Sequence, residues 1–167
     1  RKIAYGPLLD VFFLDLRSYR GGNTEGLESE ASEATQMMGA EQIAWLKREL
    51  AKSDATWKVI ASDMPIGLVV WDNVGDRKLV EAVSNNDGGA PKGREMEFAD
   101  LLRFIKSAGI ANTVWLTADV HYTAAHHYSP DRAAFQDFEP FWEFVSGPIH
   151  AGTFGPNDLD KTFGPEV

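Results

Sequence analysis

The sequence predicts an α/β fold, mixed sheets with flanking helices, and three observations predict it. Short β-branched, aromatic and aliphatic runs alternate with amphipathic stretches along the chain. Several of those runs are apolar at successive positions, as strands buried on both faces are. Acids, a histidine and an arginine gather just after the runs, where α/β sheets bind ligands. At 167 residues the chain suffices for one domain with a core, so 1–167 is read as a single domain.

Leu8 to Leu16 reads as a central strand, apolar on both faces, and empties into Asp15-Leu16-Arg17-Ser18-Tyr19-Arg20. Gly21 to Gln36 is rich in Gly, Ser, Thr and Glu and reads as a mobile surface loop. Ala40 to Ala51 places Ile43, Leu46 and Leu50 at helical spacing, with Trp45 widening the stripe. Trp57 to Ala61 is a second strand, followed by Ser62-Asp63-Met64-Pro65. Ile66 to Lys92 carries four glycines and Pro91 with little periodicity, and reads as a long binding loop or lid. Gly93-Arg94-Glu95 opens a second helix that Gly109 closes. Thr113 to Leu116 is a third strand. Tyr122 to Tyr128 is read as an antiparallel return, and Phe141 to Val145 as a last strand before Ser146-Gly147-Pro148-Ile149-His150. Strand–helix–strand units imply a largely parallel sheet with right-handed crossovers.

Composition narrows the function classes. Twenty-five acidic against 16 basic residues give a formal charge of −9. That argues against a broad nucleic-acid surface or an anionic-membrane surface, both of which need clustered Lys and Arg. A phosphorylated substrate is still compatible, because a bound cation reverses the local field. No apolar run approaches a bilayer span. There is no cysteine, hence no disulfide and no thiolate ligand. The chain opens Arg1-Lys2-Ile3 without Met, and a piece of a longer polypeptide is expected.

The candidate site residues are Asp15, Arg17, Asp63, Asp119, His121 and, further on, His150. On extended backbone an Asp-x-His pair leaves the same side of the chain, so Asp119 and His121 are expected to converge. An oxygen-rich set assisted by one imidazole suits Ca²⁺, Mn²⁺ or Fe. The competing readings are that Asp119 caps a turn, that His121 is a core histidine, and that Asp63 is a turn former. Phe144-Val145-Ser146-Gly147-Pro148 lacks the leading glycine of a nucleophile elbow. The chain has no G-x-x-x-x-G-K-[ST] phosphate loop. His126 and His127 are adjacent, so as strand residues they face opposite ways.

Leu14-Asp15-Leu16-Arg17-Ser18-Tyr19-Arg20, Gly39-Ala40-Glu41-Gln42 with Trp45-Leu46, and Trp57-Lys58-Val59-Ile60 together resemble the alkaline phosphatase D (PhoD-like) metallophosphoesterases. Leu116-Thr117-Ala118-Asp119-Val120-His121 and Phe141-Trp142-Glu143-Phe144-Val145-Ser146-Gly147-Pro148 extend the match in the family's order. The resemblance implies the C-terminal part of a four-layer α/β/β/α sandwich holding a metal pair, iron with calcium. It also implies a phosphate ester as substrate and a secreted or periplasmic location. Asp119 and His121 look like the family's last metal-ligand motif, L-T-G-D-V-H, with Ala118 in place of its glycine. Asp63 falls where related two-metal enzymes often carry a ligand. Asp15, Arg17 and His150 are given supporting or substrate-binding roles.

The family's earlier ligand blocks, G-D-x-x-Y and D-D-H-E-like, do not occur in these 167 residues. The expectation is a phosphoester hydrolase whose upstream half supplies the other ligands, with this segment inactive alone. The sheet face that the absent half would cover should then be exposed and should favour a homodimer or aggregation. Two other readings stand beside this one. The first is a non-catalytic interaction domain that uses the Ile66–Lys92 segment. The second is a metal-independent hydrolase that pairs His121 with an Asp.

Overall fold

A computed structural model describes residues 1–167. The strands are β1 (Lys2–Tyr5), β2 (Leu9–Phe13), β3 (Trp57–Ala61), β4 (Trp71–Val74) and β5 (Arg77–Val80), then β6 (Thr113–Thr117), β7 (Ala124–Tyr128), β8 (Phe141–Val145) and β9 (Pro165–Glu166). The helices are α1 (Ala40–Ala51) and α2 (Glu95–Ser107). Seven strands form one mixed sheet in the order β1-β2-β3-β6-β8-β7-β9, and β4 with β5 forms a separate hairpin. No helix is long and apolar enough to cross a membrane.

Direction of winding explains the layering. β2, β3 and β6 are parallel neighbours, and the chain passes from each to the next through a helix. Right-handed crossovers stepping the same way along a sheet put both helices on the same face. The row Phe12–Ile60–Trp115–Glu143–His126 lies on that face, and every member is at most 1% exposed. Ile43, Leu46 and Leu50 of α1 and Phe98, Leu101, Leu102 and Ile105 of α2 close over it in one 23-residue core. The opposite face carries the rows Phe13–Ala61–Leu116–Phe144–Ala125 and Val11–Val59–Val114–Trp142–His127. No layer of this chain covers it, and Phe13, Trp57, Leu116, Trp142 and Phe144 stand 42–49% exposed. One helix layer and one sheet are therefore present, half of the four layers that the resemblance implies.

The helix ends are built by long-range partners. α1 starts after Gly39 at φ +75°, and no side chain of its own caps it. Instead the Glu97 carboxylate of α2 accepts from the N–H groups of Met37, Met38 and Gly39 at 2.8, 2.7 and 3.3 Å. An anion at a helix N-terminus is favoured by both the free N–H groups and the dipole. α2 ends as its glycine suggests. Ile110 N–H donates to the Ile105 carbonyl and Gly109 N–H to Lys106, with Gly109 at φ +65°.

Three readings of the sequence are corrected. The first strand stops at Phe13, and Leu14 to Leu16 already leave the sheet. Lys2–Tyr5 is an additional strand, paired antiparallel with β2. Ile66–Lys92 is not a free loop. It contains the β4–β5 hairpin, turned by Gly75-Asp76 with Gly75 at φ +62°, and Ile66, Leu68, Val69, Ala82, Val83 and Ser84 are buried. A Gly-Asp pair between two short strands is a recognised two-residue hairpin turn, so the signal was in the sequence.

Candidate active site

Because β2, β3 and β6 are adjacent and parallel, the segments after their C-terminal ends are neighbours too. Asp15 shapes the first of them. Its Oδ1 accepts from the N–H groups of Arg17 (2.9 Å) and Ser18 (2.8 Å), and these bonds, Ser18's foremost, hold its carboxyl below the usual range. Gln42 of α1 then clamps the Asp15 backbone, accepting from its N–H and donating to its carbonyl, both at 2.9 Å. Asp15 is thus a turn builder that aims the next side chain.

That side chain is Arg17, and each of its three guanidinium nitrogens meets a different carboxylate. Nη1 lies 2.9 Å from Glu81 Oε1, Nη2 3.0 Å from Asp119 Oδ1, and Nε 3.3 Å from Asp63 Oδ2. Arg20 joins at 3.5 Å from Glu81 and donates to the Glu81 carbonyl at 3.0 Å. Asp63 Oδ1 accepts from Leu16 N–H at 3.1 Å, while its Oδ2 is buried and takes no hydrogen bond. Burial, with the charges of Glu81 and Asp63, raises the Asp119 carboxyl above its ordinary value. Hydrogen bonding to Glu81 raises Arg17 in turn.

Asp119 sits on special backbone. β6 ends at Thr117, and Val120 N–H donates to the Ala118 carbonyl at 2.9 Å, closing a γ-turn with Asp119 at φ +71°. Ala118 is not the left-handed residue, so alanine is tolerated there. The same turn corrects the expected geometry: Asp119 and His121 are not on extended backbone, so period-two alternation does not apply to them. Asp119 turns to Arg17. His121 directs Nδ1 to the Gly152 carbonyl at 2.7 Å and packs its ring on Phe154. His150 is exposed. As expected, His126 and His127 face opposite ways, His126 towards buried Glu143 and His127 against Trp142 on the bare face.

Sequence reasoning missed Glu81, which lies in the segment read as a loop. It also missed Arg94, which is buried and donates to the carbonyls of Val80, Glu81 and Ala82 and to those of Gly21 and Gly22. Desolvation lowers Arg94 to about 10. It fixes the strand end from which Glu81 reaches Arg17.

A family model for PhoD-like phosphatases matches residues 1–166. The chain belongs to the PhoD-like phosphatase family. Alkaline phosphatase D of Bacillus subtilis (strain 168) is 31% identical over 169 residues, a match covering 96% of this chain and 27% of that protein. A solved structure described as the structure of PhoD is 26% identical, with a TM-score of 0.60 over 91% of this chain and 29% of its own. The chain thus spans little more than a quarter of the relatives it matches.

Whether this PhoD-like chain could hold the metal pair implied by the resemblance is decided by its donors. No three of its His, Asp and Glu side chains are grouped as metal ligands. Asp63, Glu81 and Asp119 converge on a guanidinium instead, and His121 is engaged elsewhere. The buried Asp63 Oδ2 accepts no hydrogen bond but lies 3.3 Å from Arg17 Nε, and one such atom is not a site. These residues alone do not fit a metal pair.

Proposed function

We propose that this chain is the C-terminal part of a metal-dependent phosphoester hydrolase, active on phosphate esters at alkaline pH. The remaining ligands would come from a segment seated on the bare sheet face. The observation that carries this is the charge of the rim: three carboxylates against the guanidinium groups of Arg17 and Arg20. A phosphate ester brings further negative charge to a place already one charge short of balance. Added cations correct this, which is the role metal ions play in phosphoryl chemistry. Arg17 is then the group of this chain that binds a phosphate oxygen, its fork fitted to oxyanions. Iron with calcium is the pair that the family resemblance suggests. Asp63, Asp119 and His121 are the residues this chain would offer.

The test compares this chain alone with the same chain in a protein of its relatives' length, using p-nitrophenyl phosphate and its diester. Hydrolysis only in the longer protein, lost in chelator and in Asp119→Ala, is expected. Activity of this chain alone that Asp119→Ala abolishes would overturn the two-part reading. Binding through Ile66–Lys92 as a free loop loses support, because much of that segment is buried.

A further inference from the structure

Behind the Arg17 cluster lies a second set of polar side chains, completely enclosed. Glu143 on β8 is 0% exposed and sits on the helix-covered face. Its Oε1 accepts from Thr117 Oγ1 at 2.8 Å and from Ile66 N–H at 2.9 Å. Its Oε2 accepts from the Tyr128 hydroxyl at 2.5 Å and faces His126 Nδ1 at 3.2 Å. Three donors and the facing imidazole nitrogen surround this one carboxylate. The Tyr128 oxygen in turn accepts from Gly67 N–H at 2.8 Å. A Cβ at Gly67 would lie 2.7 Å from that oxygen, so only glycine permits the approach.

The addresses of these donors matter more than their number. Thr117 is the last residue of β6, two positions before Asp119. Ile66 and Gly67 belong to the segment that follows β3 and carries Asp63. Three of the four arms of Glu143, directly or through Tyr128, therefore lead to the backbones that carry Asp63 and Asp119, two of Arg17's three carboxylate partners. The fourth, His126, leads away along β7.

We propose that Glu143 is a positioning residue of the candidate site, fixing the spacing of Asp63 and Asp119 from beneath the sheet. Its catalytic meaning rests on the function proposed above; its geometric meaning does not. A buried polar network with every member satisfied specifies one arrangement of the elements it joins. An error of about 1 Å in reacting groups costs on the order of a hundredfold in rate.

Two single substitutions separate positioning from bulk stability. Thr117→Val and His126→Leu each delete one hydrogen bond to the same carboxylate, but only the first lies on an arm to the site. The readout on this chain is the ¹⁵Nε–¹Hε signal of Arg17, sharp while its guanidinium is held by the carboxylates. It should survive His126→Leu, and should broaden or shift in Thr117→Val and in Glu143→Gln. In the longer protein, Thr117→Val should lower kcat at least about tenfold with little change in KM, while His126→Leu leaves kcat within about twofold. Equal responses of the Arg17 signal to both single substitutions, or a fall in melting temperature with the signal unmoved, would overturn the proposal. An Arg17 signal that responds as expected in a longer protein with no phosphoesterase activity would sink the functional reading and leave the positioning intact.

Discussion

Trp115 and Trp142 are the same residue on adjacent strands of one sheet, and they live in different solvents. Trp115 on the helix-covered face is 0% exposed, and Trp142 on the bare face is 45% exposed. The rows they belong to are about equally apolar at β2, β3 and β6, so composition does not distinguish them. The distinguishing fact is topological, since two crossovers stepping one way supply helices to one face only. The covered face holds the buried carboxylates of Asp10 on β2 and Glu143 on β8, each satisfied by hydrogen-bond donors; the bare face of β2, β3 and β6 holds none. An apolar row becomes a core only when something lies on it.

The largest expected effect tests that contrast directly. Trp115→Ala should cost about 3–5 kcal/mol, as deletions of buried aromatics do, and Trp142→Ala below about 1 kcal/mol in this chain. Urea unfolding of the two variants measures both, and equal losses would break the comparison. Next is self-association. Sedimentation of the unmodified chain should show species growing with concentration, and Phe144→Glu should reduce them without unfolding the chain. A monodisperse monomer at all concentrations would mean that the bare face is stable in water as it stands.

A smaller effect is expected from pH. Glu95 is buried, and desolvation first, then the charge of Asp160, pushes its carboxyl up to about 8. Its contribution is complete below the unfolded value of 4.5 and is lost as pH rises towards 8, because the unfolded chain releases that proton first. Unfolding free energy should therefore fall across that window by at most about 1.4 kcal/mol per pH unit from this group. Glu95→Gln should flatten the slope while lowering stability at pH 5, where the Asn85 and Lys92 donors lose an acceptor. Phe144→Glu on the bare face should leave the slope between pH 6 and 8 unchanged. The smallest effect is at Asp119. Asparagine tolerates φ +71°, so Asp119→Asn should shift stability by less than about 1 kcal/mol, whereas Asp119→Val forces a branched side chain into that turn and costs more.

The helices and five of the strands were legible, all but the antiparallel return of β7 because each carries its own period or its own apolar run. Leu46 and Leu50 at helical spacing need no tertiary information. Asp63, Asp119 and Arg17 were placed on one rim by strand order, and they do meet there. The convergence of His121 with Asp119 that spacing suggested does not occur, since Asp119 meets Arg17 and His121 meets the Gly152 carbonyl. Their divergence depends on a γ-turn that begins one residue after the strand ends, and no local rule announces that turn. Glu81 was hidden for a different reason: its partner Arg17 is 64 positions away, and its own neighbours Val80 and Ala82 look like ordinary core. The β4–β5 hairpin was simply misread, with Gly75-Asp76 available to mark it.

A sheet finished on one side only is also a matter of timing. On the two-part reading proposed above, between the moment these strands pair and the moment another layer seals them, Trp57, Leu116, Trp142 and Phe144 are wet and can stick to whatever collides first. Sealing within one polypeptide does not depend on concentration, whereas sticking to a neighbour does. The yield of correctly assembled protein should therefore be decided by how crowded the newly made chains are. A chaperone that shields this face would act by slowing the bimolecular race, without teaching the chain its fold.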